Sequence, residues 1–262
     1  MLTLKIENSS GQMQALANGN DAVTLVYDKE YHDGDKIVLE SGTANGFFIV
    51  RLEDTMLPAF VYMGGLRHEM IIPFGEKRVS YSPKSFTGAM HLLTARRATR
   101  QEIQSYKNMA LNPYDCHENT VLFPHSYANV ETRGESVFAS RNAMDGITAN
   151  AGHGFWPYQS WGINRNPDAE MRIEFGRQVF IDKAVITTRA DFPHDSYWVS
   201  GTLEFSDGSE ITFPLTKTEK PQTIEFAPRT VSWVILKQLI KADDESPFPA
   251  LSQIEIWGTE AL

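Results

Sequence analysis

The chain has little of several things that would otherwise define it at once. Cys116 is the single cysteine in 262 residues, so no intramolecular disulfide can form. Stability must then come from packed cores or a bound ion. The surrounding sequence gives that thiol no clear activating context, and it reads as inert, because thiol reactivity needs a depressed pKa and access. Lys and Arg together number 24 against 33 Asp and Glu, a formal net charge of −9. That balance argues against general nucleic-acid binding, which needs clustered cations to displace counterions. There is no basic amphipathic helix for an anionic membrane, and no apolar run approaches the roughly 18 residues of a membrane span. The opening MLTLKIENSSG lacks a charged stretch followed by a long apolar one, so a cytoplasmic address is expected unless a leader was removed. Nucleophile elbow, Walker loop, dinucleotide fingerprint and HExxH helix are all missing from the sequence. Tryptophan is absent from the first 155 residues; all five lie at 156, 161, 198, 233 and 257.

What is present is a succession of short apolar runs divided by turn residues. LTLKIEN, DAVTLVYD, DKIVLES, GFFIVRLE, AFVYMG, EMIIPF and FTGAMHLLTA fill the first hundred positions, with Asp33-Gly34, Gly42, Gly64-Gly65 and Pro73 between them. This is the rhythm of a β-sandwich. Thr99-Arg100-Gln101-Glu102 fits a capping box, and Ile103, Tyr106 and Ala110 follow at helical spacing until Asn112-Pro113. Strands then resume as MRIEFG, KAVITTRA, GTLEFSD, SEITFPL, QTIEFA, VSWVILKQL and QIEIWG. The expected fold is all-β: two jelly-roll-like β-sandwich domains, 1–97 and 111–262, joined by a short helix at 98–110.

Chemistry gathers in three loops. RADFPHDSYW, 189–198, follows an apolar strand and packs an arginine, two aspartates, a histidine and three aromatics into ten residues. An ordinary solvated turn needs none of the rings. GHGFWPYQSWG, 152–162, adds His153, Trp156 and Tyr158 among glycines. YDCHENTVLFPH, 114–125, offers Asp115, His117, Asn119 and His125, though at no spacing that marks a transition-metal site. A pyranose would suit such groups. Its adjacent hydroxyls pair with a planar guanidinium, carboxylates accept from hydroxyls, and its C–H face needs a flat apolar ring. Arg189, Asp191 and His194 are therefore the candidate polar half of a ligand site, with Trp156, Tyr158, His153 and Trp198 beside them. Trp233 and Trp257 lie within strand patterns and read as core.

Several motifs, in order, carry a resemblance. NMALN at 108–112, NAMDG at 142–146, EMRIEFG at 170–176, GTLEFSDG at 201–208, TIEFAP at 223–228, VSWVIL at 231–236 and LSQIEIWG at 251–258 resemble the discoidin, or coagulation-factor type C, family of galactose-binding-like domains. The likeness covers about 108–258. It implies a jelly-roll sandwich with ligands held by loops at one end, an arginine at a central strand's end, and aromatic rings nearby. His194 stands where an asparagine is common, which departs from a galactose pattern. The resemblance also implies a structural calcium held by Asp145, Thr148 and Glu255 with backbone carbonyls, since calcium takes six to eight oxygens.

Three functions compete on this reading. The first is carbohydrate binding through the loops of the second sandwich. The second is a sugar- or uronate-processing lyase, hydrolase or isomerase, with His153 or His194 as base and Arg189 holding a carboxylate. The third is an assembly module whose aromatic loops meet a protein partner.

Overall fold

The computed structural model describes residues 1–149, 156–190 and 195–261. Its first part comprises β1 Leu2–Glu7, β2 Met13–Gly19, β3 Ala22–Tyr27, β4 Lys36–Ser41, β5 Gly46–Arg51, β6 Ala59–Met63, β7 Arg67–Ile71 and β8 His91–Arg97. After the helix α1, Arg100–Gln104, come β9 Lys107–Asn108, β10 Leu122–Phe123, β11 His125–Ala128, β12 Trp161–Gly162, β13 Met171–Thr188, β14 Trp198–Phe205, β15 Glu210–Pro214, β16 Gln222–Lys241 and β17 Ala250–Glu260. The protein is all-β, as its alternating patterns dictate.

A four-stranded sheet, β2-β1-β4-β7, faces a five-stranded one, β10-β6-β5-β8-β3. Leu2, Leu4, Ile6, Ile37 and Leu39 from the first meet Val23, Leu25, Phe48, Val50, Val61 and Leu93 from the second in one buried core. Each such side chain contributes about 1.5–3 kcal/mol on leaving water. The strand β2 escaped the sequence reading because it is an edge strand, bonded only to β1, and Met13 and Leu16 stay exposed. An edge needs no buried face and so leaves no alternation to read.

The remaining strands form an eight-stranded sheet, β12-β17-β13-β16-β14-β15, with β11 and β9 added on β13 and β17. It encloses a second core around Trp161, Met171, Ile173, Phe175, Ile181, Trp198, Phe205, Val234, Leu236 and Ile254. MRIEFG and KAVITTRA, separate in the sequence reading, are one strand, β13, whose register shifts between Glu174 and Val179. A bulge of this kind bends a strand without ending it. Gly176 sits in that bend at φ +69°, and a Cβ there would lie 2.4 Å from the Phe123 ring.

Two expectations change. The helix is five residues long, not thirteen: the capping box of Thr99 and Glu102 forms, but Ser105 is already extended. Glu102 also pairs with Arg96, and Asn108 pairs with Trp257 of β17, so the sheet edge captures the chain where a longer helix would run. The division at 111 is also crossed. Met109 and Ala110 pack in the second core, whereas Tyr114 and Leu122 pack in the first. Tyr114 Oη donates to the Leu57 carbonyl at 2.9 Å, and β10 extends the first sandwich beside β6. The segment between α1 and β11 thus belongs to both cores.

Candidate functional site

Arg189 follows directly on β13, and its backbone N–H donates to the Ala250 carbonyl at 2.9 Å, which fixes the strand end beside β17. The residue is only 8% exposed. One guanidinium nitrogen donates to the Tyr158 carbonyl at 3.3 Å, and the other lies 3.9 Å from an Asp195 carboxylate oxygen. Arg189 and Asp195 line a pocket of about 300 Å³ with Thr132, Phe138, Arg165 and Phe248. That volume is at the lower end of the range for small-ligand sites.

Neighbouring turns shape the other wall. Asn164 and Arg165 both hold positive φ, 49° and 60°, a conformation rare outside glycine. The Asn164 N–H donates to Thr132 Oγ1 at 2.9 Å, which braces that turn. Arg165 is thereby carried over the Phe248 ring, 4.6 Å from its centre. Phe248 stands between Pro247 and Pro249 and is 50% exposed, a large ring held out to solvent. The sequence reading missed Arg165 and Phe248. The Pro-Phe-Pro triplet was the available signal, since two prolines fix the backbone around a ring that has no core to enter.

The structure divides the candidates named from sequence. Arg189 lies in the pocket. Asp191, His194 and His153 lie outside the described residues. Trp156 and Tyr158 line a different, larger cleft; only the Tyr158 backbone reaches Arg189. Trp198 is fully buried and belongs to the second core, not to a ligand surface. Alternation explains it: Trp198 opens β14 on the inward face while Val199 points out. Trp161, also fully buried, donates its indole N–H to the Val130 carbonyl at 2.9 Å. Trp233 and Trp257 are corrected the other way. Both face outward and half-buried, Trp233 under Arg172 at 4.2 Å and Trp257 between Tyr106 and Lys183.

The residues suggested for calcium do not suit it. Asp145 Oδ1 accepts from the Ile147 N–H at 2.8 Å and from Gln253 Nε2 at 2.7 Å, while Oδ2 accepts from Gln159 Nε2 at 2.9 Å. Gln253 Oε1 in turn accepts from the Gly146 N–H, so its amide orientation is fixed. A cation beside Asp145 would meet N–H groups where calcium needs oxygens. The Thr148 side chain is exposed, and Glu255 accepts from the Trp257 indole at 2.6 Å. Burial raises the Asp145 pKa to about 6.

The 114–125 loop is likewise not a metal set. His117 lies at the surface against Glu131. Asp115 is buried and bonded to His125 Nδ1 at 2.6 Å, to Ser126 N and Oγ at 2.8 Å, and to Asn119 Nδ2 at 2.9 Å. Both of its oxygens are hydrogen-bonded, as a buried carboxylate requires. No cluster of three or more His, Cys, Asp or Glu with metal-binding geometry occurs among the described residues. Burial pushes the Cys116 thiol up to about 12, which leaves almost no thiolate at neutral pH.

No family model matches the chain, and no curated protein matches it. Among solved structures it is similar to chitosan-binding module 1 of a chitosanase/glucanase from Paenibacillus sp. IK-5, at 18% identity and a TM-score of 0.41, over 58% of this chain and 99% of that one. It is similar to a fucose-binding module from Streptococcus pneumoniae at 14% identity and a TM-score of 0.42, over 59% and 99%. A family 32 carbohydrate-binding module from C. perfringens NanJ, in complex with galactose, aligns at 13% identity and a TM-score of 0.38, over 50% and 91%. Identity this low fixes no ligand.

Proposed function

We propose that the protein binds a carbohydrate in the pocket formed by Arg189, Asp195, Arg165 and Phe248. The observation that carries this reading is the juxtaposition of a nearly buried guanidinium with an exposed ring in a pocket of about 300 Å³. The guanidinium offers paired donors to adjacent hydroxyls, and Asp195 offers an acceptor. The Phe248 face suits the C–H side of a pyranose, and Arg165 above it offers further donors. Arginine on a ring alone is common on protein surfaces. A ring set between prolines beside a second, buried arginine is more specific to a site. The resemblance of the motifs between 108 and 258 to discoidin-like domains supports the same reading.

Calorimetric titration across a panel of neutral mono- and oligosaccharides tests it. Hydrogen bonds to charged groups contribute about 1.5–3 kcal/mol each, so Arg189→Ala is expected to weaken the bound sugar roughly ten- to a hundred-fold. Phe248→Ala is the cleaner variant, because a ring half in solvent is not holding a core. It is expected to lower affinity about tenfold with an unchanged melting temperature. A panel in which no sugar binds, or in which Phe248→Ala binds as tightly as the parent, refutes the proposal.

A further inference from the structure

A larger cleft of about 910 Å³ lies on the other side of the segment 132–139, between residues 71–83 of the first sandwich and the loops of the second. Arg133 and Phe138 face the smaller pocket, whereas Gly134, Glu135, Ser136 and Val137 line the cleft. Ser136 Oγ donates to the Glu76 carbonyl at 2.6 Å and ties the two walls together.

The cleft holds Arg141, which is 7% exposed. Its guanidinium lies 4.4 Å over the Tyr81 ring, donates to the Pro113 carbonyl and to Asn142 Oδ1 at 3.1 Å, and leaves Nε without a partner. It makes no ion pair among the described residues, and neither do the other two cations of the cleft, Lys77 and Arg78. A buried cation without a direct ion pair is costly, and the buried Asp145 carboxylate, whose pKa burial raises and the Arg141 charge lowers, offsets only part of that cost. Arg141 alone of the three is buried; Arg78 is half-buried and Lys77 exposed at the rim, which in a chain of net charge −9 gives the cleft a local run of cations. Of the acids of the same cleft, Glu76 and Glu118 are exposed and Glu135 is paired with Arg133, so none stands against the buried Arg141. His117, exposed at the rim, is held on Glu131, whose hydrogen bond raises its pKa.

The remaining wall is aromatic. Trp156, Tyr158 and Tyr81 line it, and the buried Trp156 indole N–H has no partner. From this we infer a second ligand site, for an acidic saccharide: a carboxylate against Arg141, Arg78 and Lys77, a hydroxyl on the Trp156 N–H, and ring faces on Trp156 and Tyr158. The volume, near the upper end of the range for ligand sites, suits an oligosaccharide and not a single sugar. This site is separate from the Arg189 pocket and does not depend on it.

The test titrates the full chain with tri-galacturonate, with a neutral trisaccharide of the same linkage, and with inorganic phosphate. Tri-galacturonate is expected to bind, to weaken as salt rises, and to lose at least tenfold in Arg78→Ala and in Trp156→Phe, which keeps the ring and removes the N–H. Arg141→Lys tests the buried charge, with the melting curve recorded to show that the variant folds. Phe248→Ala should leave this binding unchanged, which separates its outcome from that of the smaller pocket. Absence of tri-galacturonate binding overturns the inference. So does equal binding of the neutral trisaccharide, binding of phosphate as tight as tri-galacturonate, or Arg78→Ala and Trp156→Phe variants that bind like the parent.

Discussion

His68 should make the protein acid-sensitive, and the effect can be isolated. It stands on β7, 1% exposed, with Nε2 lacking a partner. Burial lowers its pKa to about 4; nearby Asp115, the Asn119 side chain and Glu69 oppose this without overcoming it. An unfolded histidine binds its proton near 6.5. Between 6.5 and about 4 the unfolded chain is therefore protonated at this position while the folded chain is not. Stability from neutral His68 is fully present above 6.5 and is lost as pH falls toward 4. At about 1.36 kcal/mol per pH unit, that window bounds the loss at roughly 3 kcal/mol. Asp145 acts in the opposite sense. Its pKa is raised to about 6 by burial, so protonating it stabilises the fold as pH falls through nearly the same window. The parent curve alone is therefore ambiguous. Urea denaturation of the parent and of His68→Gln, at half-unit steps from pH 8 to 4, removes the ambiguity, because the difference between the curves cancels Asp145 and every other shared group. The difference should change by roughly 3 kcal/mol in favour of the variant on going from pH 7 to 4. Parallel curves would refute the assignment.

Other consequences are simpler to check. Chelator should leave the melting temperature unchanged, because N–H donors occupy the Asp145 oxygens; a drop of several degrees would reinstate a calcium site. A fragment from 106 to 262 should be unstable alone, because Tyr114 and Leu122 would lose the first core; a soluble, cooperatively melting fragment would contradict this. Gly176→Ala should cost about 1–3 kcal/mol, since positive φ and the Phe123 ring both oppose a side chain, and thermal denaturation measures it. Cys116 should resist a thiol reagent at pH 8 in the folded protein and react on unfolding; rapid native labelling would show an accessible thiolate.

The sequence by itself determined the all-β class and most strands of both sandwiches, because a strand with one buried face must alternate, as Val23, Leu25 and Tyr27 do in β3. It determined the capping box at Thr99 and Glu102, which is a purely local bond pattern. It also located Arg189 at a strand end, since an arginine closing an apolar run marks where the chain leaves the core. It did not determine the length of the helix, whose continuation lost to pairing with β17, a strand some 150 residues away in sequence. Nor did it determine which aromatics face a ligand. Trp198 and Phe248 are both rings near loop residues, yet one is enclosed and the other half exposed. Only the tertiary structure decided that Trp156 and Tyr158 line one cavity while Arg189 lines another. That partition depends on which loops the bends of β13 and the shared segment 109–125 bring together. Local propensity carries no record of such distant contacts, because they exist only once both cores have closed.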